Sequence, residues 1–207
     1  ILFLTSTILS AQKKEETDEK KSKKTYSEII DDSFKTDNGL FKVHQKDQLF
    51  YYEIPRELLD QEMLMVTRIA KTSNGIGYGG QKINSQVLRW QLKKDMILLR
   101  VVSYENIAND SLPIYESVRN SNFEPILLSF EIKTVNPEDS SIVIDVTSLF
   151  STDIKALGFP QYRRKSLKIT SLDKKRSFIE SIKSFPINIE VRNVLTYISS
   201  EPPSQRN

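Results

Sequence analysis

Apolar residues fall into two spacings along the chain. In YSEIIDDSF (26–34), Tyr26, Ile29, Ile30 and Phe34 recur at helical intervals and predict a short amphipathic helix that needs tertiary support. From Phe41 onward the pattern changes to short β-rich runs separated by turn residues. FKVHQK (41–46) and LFYYEI (49–54) read as a hairpin around Lys46 and Asp47, closed by Pro55, and MLMVTRIAK (63–71) is a third run. QVLRWQLKK (86–94) and MILLRVVSY (96–104) repeat the arrangement around Asp95. Further strands are predicted in ILLSFEI (126–132), SIVIDVTSLF (141–150) and LKIT (167–170). A last pair, SFIESIKSF (177–185) and NIEVRNVLTYI (188–198), turns at Pro186. Exceptions are a turn after Pro55, a helix through PIYESVRNSN (113–122) and a short one at 151–156. The expected fold is mainly β (α+β): an antiparallel or mixed β-sandwich or curved sheet with a few short helices.

The ends follow other rules. ILFLTSTILSA (1–11) is uncharged and about as long as the apolar core of an export signal, too short to span a bilayer as a helix, so stable membrane insertion is not expected. Residues 12–24 carry six Lys against four acids and no apolar side chain to bury, which predicts a disordered tail. That tail supplies two of the three net positive charges, so the basic balance is not a property of the folded part. The expected organisation is a signal remnant (1–11), a charged tail (12–24), a small N-terminal α+β domain (25–72) and a β-rich accessory domain (73–207) truncated at its C-terminus. The expected location is periplasmic or extracellular.

Composition removes several chemistries. With one His and no Cys, neither the common zinc sites nor Cys-His catalysis can be assembled from these residues, and Ser-His catalysis would have to rest on His44 as its one base. His44 reads as an ordinary half-exposed strand residue outside any site. Gly75, Gly77 and Gly80 in GIGYGG satisfy the spacing of a dinucleotide loop, but the following QKINSQVLRW alternates like a strand, where that motif requires a helix. The glycines read instead as a strand connection in which unusual backbone angles or a close approach are needed. Residues 163–176 hold seven Lys or Arg against Asp173 alone. Without interleaved aromatics the reading is a solvated surface, and no nucleic-acid partner is expected. Trp90 and Tyr78 read either as buried packing or as a sugar or peptide platform. Among 27 acids no carboxylate pair can be singled out. No catalytic, cofactor-binding or metal-binding residue is assigned.

Three strings resemble a known family: GIGYGGQKINSQVLRW (75–90), LLRVVSYENIANDSLPIYESVRNSNFEPIL (98–127) and RSFIESIKSFPINIEVRNVLTY (176–197). They look like the N-terminal region of large secreted bacterial zinc-dependent metalloproteases, in which two adjoining domains of unknown function precede a metzincin-like catalytic domain. The resemblance covers roughly residues 26–200. It implies a zinc peptidase in the parent protein, with zinc held by an H-E-x-x-H-x-x-G-x-x-H motif. None of that motif's residues has a counterpart here, so no catalytic role or cofactor is carried onto this chain. The expected function is a non-catalytic region packing against, or gating, a downstream peptidase domain of the same polypeptide, with a protein or peptide substrate as a further partner. Two other readings stand beside it: a self-standing module binding peptide at a sheet edge or glycan on aromatics, and a small enzyme using carboxylates alone.

Overall fold

In the computed structural model, residues 24–73 and 75–201 are described. The signal remnant, the charged tail up to residue 23 and the chain from Pro202 lie outside the described residues. The protein is mainly β, and its principal element is a curled antiparallel sheet of eight strands. These are β1 (Lys35–Asp37), β2 (Lys42–Lys46), β3 (Leu49–Ile54), β4 (Glu62–Arg68), β5 (Lys82–Lys93), β6 (Met96–Val102), β7 (Ile126–Val135) and β8 (Ile142–Asp145), in the order β1-β2-β3-β8-β7-β6-β5-β4. Strands from both sides of residue 72 therefore share one sheet.

The curl follows from connectivity. Strands β3 and β4 are consecutive in sequence but five places apart, ~24 Å across a flat sheet. Their link, residues 55–61, includes a 3-10 turn at Arg56–Leu58 and reaches at most ~23 Å with every other residue fully extended. Bending brings the two strands within reach. Strand β7 assists the bend, because it pairs with β6 through its first half and β8 through its second, with irregular register between Ile132 and Thr134.

The concave side holds the core. Phe41, Tyr52, Trp90, Phe130 and Phe150 form a chain of rings 5.5–6.3 Å apart, surrounded by Ile54, Ile97, Leu99, Ile142 and Ile144. Such ring pairs contribute ~0.5–1.5 kcal/mol each beyond their buried area. The open mouth is filled by two later pieces. Helix α3 (Thr147–Ser151) inserts Leu149 and Phe150, and the hairpin of β10 (Phe178–Ser184) with β11 (Ile189–Val194) inserts Ile179 and Ile182. The hairpin is stitched down at its tip, where Leu40 N–H donates to the Phe185 carbonyl (2.7 Å) and the Ser184 hydroxyl to that of Phe41 (2.6 Å). A Cβ on Gly39 would sit 2.7 Å from the Phe185 backbone, so this approach requires glycine.

Several expectations change at their edges. The N-terminal helix is a single turn, α1 (Tyr26–Ile29), and does not run on to Phe34. Asp31 Oδ1 accepts the Ser33 N–H (2.9 Å), a local bond that competes with the helical ladder. Phe34 stacks instead on Tyr51. The run 141–150 is strand only to Asp145 and then becomes α3, which also replaces the helix expected at 151–156. Asp145 Oδ1 accepts the Thr147 N–H, and Thr147 Oγ1 accepts the Phe50 N–H, both at 2.9 Å, turning the chain out of the sheet. Helix α2 (Tyr115–Ser121) lies inside the predicted 113–122. The last apolar run divides into β11 and β12 (Tyr197–Ser199), the latter paired with β9 (Ile169–Leu172). An unpredicted helix, α4 (Gln161–Ser166), follows Pro160.

Candidate functional site

On the sheet's convex face, at the β2–β3 end, a cluster of polar side chains is buried. Strand alternation places Lys42 and His44 on one face of β2, and the β2–β3 register sets Glu53 directly opposite Lys42. Glu53 is 0% exposed. Its Oε1 accepts from Lys42 Nζ (2.7 Å), Asn136 Nδ2 (2.8 Å) and Ser141 Oγ (2.5 Å). Its Oε2 accepts from the Tyr26 hydroxyl (2.7 Å) and His44 Nε2 (2.9 Å). The other imidazole nitrogen of His44 meets the Thr36 hydroxyl at 2.8 Å. Lys42 also reaches Asp139 (3.0 Å), which accepts the Ser141 backbone N–H (2.9 Å) in turn.

Burial works to raise the Glu53 pKa, but the bonds from His44, Lys42, Ser141 and Asn136 outweigh it and hold the carboxyl far below the usual range. Burial first, and then ionised Glu53, push the Tyr26 phenol upward. An ionised, fully enclosed carboxylate with five donors is neither a base in reach of substrate nor an open ligand position. It joins α1, both strands of the hairpin and the β7–β8 turn. His44 is therefore not the half-exposed residue read from sequence: it is 1% exposed and belongs to this cage. What sequence did offer was a Glu inside an apolar strand (LFYYEI), opposite a Lys-x-His strand.

A second, partly buried pair secures the C-terminal strands. Arg164 Nη1 donates to Asp153 Oδ2 (2.7 Å) and Nη2 to Oδ1, while Nε donates to the Phe159 carbonyl (2.9 Å). The Tyr197 hydroxyl also donates to Asp153 (3.1 Å), and burial followed by the Asp153 charge pushes that phenol up to about 12.

The remaining sequence candidates separate. Trp90 is 6% exposed within the core and Tyr78 is 69% exposed, so the two do not form a platform. The loop of Gly75, Gly77 and Gly80 connects β4 to β5, and a strand follows it directly. Gly75 and Gly80 have φ of 80° and 86°, where a side chain is strained, and Arg163 Nη2 holds the loop through the Ile76 carbonyl (2.7 Å). Of the basic segment, Arg164, Arg176 and Lys168 pair with Asp153, Asp173 and Glu201, leaving Lys165, Lys174 and Lys175 exposed. Among the described residues no group of three or more His, Cys, Asp or Glu comes together to hold a metal ion.

Sequence reading missed the surface around β4. The outward residues of this edge strand include Leu64, 68% exposed, and Val66, 41% exposed. Nearby, the excursion between β6 and β7 is anchored by Arg100 on the Glu124 carbonyl (2.6 Å) and by Arg89 on the Glu124 and Glu62 carboxylates. Beyond those anchors it presents Ile107, Leu112, Ile114 and Phe123 to solvent, and α2 buries no residue.

Fold and cage together define a mainly β scaffold whose interior charges fasten separate elements to one another. The chain belongs to the DUF5117 family, a domain of unknown function whose model matches residues 80–207. Residues 23–72 match a second domain of unknown function, DUF5118. No curated protein and no solved structure matches the chain.

Proposed function

We propose that this is a non-catalytic, extracytoplasmic accessory region that packs against, or gates, a zinc-dependent peptidase domain downstream in the same polypeptide. The observation that carries the reading is the β6–β7 excursion: Ile107 and Phe123 are 75% and 72% exposed on a segment tied to the sheet at both ends, by Tyr104 on Glu62 and by Glu124 on Arg89 and Arg100. Contiguous exposed apolar side chains mark surfaces that a partner covers. The resemblance of 75–90, 98–127 and 176–197 to the regions preceding metzincin-like domains supplies the identity of that partner. Zinc and peptide hydrolysis belong to the downstream domain in this reading, and the buried Glu53 cage keeps the scaffold rigid beside it.

The test compares residues 12–207 with the longer gene product. Zinc content and caseinolytic activity are expected only in the longer protein, with slower amide exchange at 103–125 there than in the short one. Casein cleavage by residues 12–207 alone, or equal exchange in both, would sink the proposal.

One observation favours a second reading, capture of an extended peptide by strand addition: β4 presents an edge whose five central residues are uncharged. Protection of residues 62–68 on adding an extended peptide would support it.

A further inference from the structure

Strand β4 is the last in the sheet and pairs on one side only, with β5. Alternate residues of Glu62–Arg68 therefore turn their N–H and C=O groups away from the sheet. Among the described residues no hydrogen bond outside the β4–β5 ladder reaches the backbone of this strand. Edge strands are commonly blunted by shortness, Pro, a bulge or a charge in the middle. β4 has none of these. Its seven residues read Glu-Met-Leu-Met-Val-Thr-Arg, and the register shift near Arg68 places the extra residue on β5, leaving β4 regular.

The order of those residues is self-complementary. Two antiparallel copies centred on Met65 place Met65 opposite itself, Leu64 opposite Val66, Met63 opposite Thr67, and Glu62 opposite Arg68. Only registers matching residues of like parity can join two free edges, because outward backbone groups must face outward groups. Of these, the one centred on Met65 alone sets the acidic end of each strand against the basic end of the other. It also joins Leu64 and Val66 of both copies into one apolar patch on the convex face. A general extended peptide has no reason to carry opposite charges at those two positions, whereas a second copy supplies both.

We propose that the β4 edge is a homodimer interface, in which two copies of this chain pair β4 to β4 about a two-fold axis at Met65 and join their eight-stranded sheets edge to edge. This does not depend on a peptidase partner, since it uses the backbone edge and outward side chains of β4, while the excursion of 103–125 is tied beside that strand through Tyr104 and Glu124.

Because the chain has no Cys, single cysteines report the register cleanly. Residues directly opposite in antiparallel strands lie about 4.5–5.5 Å apart at Cα, within disulfide reach. The 207-residue chain is expected to sediment at twice 23.9 kDa. On oxidation, Met65→Cys should cross-link to itself, and Leu64→Cys mixed with Val66→Cys should form a mixed dimer in preference to either self-dimer. Leu64→Lys, exposed and away from the core, should weaken association by roughly tenfold or more while leaving the circular dichroism spectrum unchanged. A monomer at all concentrations overturns the proposal. So does Met65→Cys cross-linking no faster than Ser117→Cys on exposed α2, or an edge that remains monomeric and is protected only by added peptide.

Discussion

At one end the sheet stops in β1, three residues long with two charges, and behind it Glu53 gathers five donors under α1 and the β7–β8 turn. At the other end it stops in β4, seven residues long, with Leu64 and Val66 facing water and the excursion of 103–125 offering four more large apolar side chains. The first end is closed by its own chain. Polar groups there are buried only because each finds a partner, which fixes where α1 and the 136–141 turn must lie. The second end leaves apolar surface open, and open apolar surface is where a protein meets other molecules. Closed polar packing and open apolar surface thus lie at opposite edges of one sheet.

The sharpest way to break this contrast is to remove the carboxylate. Glu53→Ala leaves Lys42, His44, Asn136, Ser141 and Tyr26 without their common acceptor, and should cost roughly 3–5 kcal/mol, read as a lower urea midpoint. Acid should act through the same residue. The folded pKa of Glu53 lies below its ordinary value of 4.5, so its stabilisation is fully present above that pH and is lost as pH falls further. The gap in stability between the protein and Glu53→Gln should therefore shrink steadily below about pH 4.5. Next in size, Tyr26→Phe removes one of the five bonds and should cost about 1.5–3 kcal/mol. Smallest of all, Ile107→Ser on the open side should change unfolding by less than about 0.5 kcal/mol. A large loss from Ile107→Ser, or a negligible one from Glu53→Ala, would invert the assignment of the two ends.

Much of the sheet was legible because strand patterning is local. The 41–54 hairpin, and the strands on either side of Asp95, stand out by alternation and by their turns. Failures came where a local pattern has two solutions. The apolar run 141–150 fits a buried strand or a buried helix, and the bonds of Asp145 and Thr147 decide for each half. Helix α4 carries its charges around one turn and has little apolar face to detect. The cage was hidden for a different reason: Asn136 and Ser141 lie 83 and 88 residues from Glu53, and no spacing rule connects them. His44 was misread because burial of a lone His depends on a partner across the hairpin. The open edge was legible in composition, as an uncharged Met-Leu-Met-Val-Thr stretch, but its place at the end of the sheet was not.

The strand order has a further consequence for how the chain can be divided. Residues 23–72 supply both rims of the sheet, β1–β3 at one and β4 at the other, while residues 80–207 supply everything between. The two matched segments thus clasp each other like the two halves of a buckle, and each alone would expose the faces the other covers. A single proteolytic nick in the Gly75–Gly80 loop should therefore leave two fragments that elute as one particle and melt in one transition, whereas either fragment made alone should give amide spectra without dispersion.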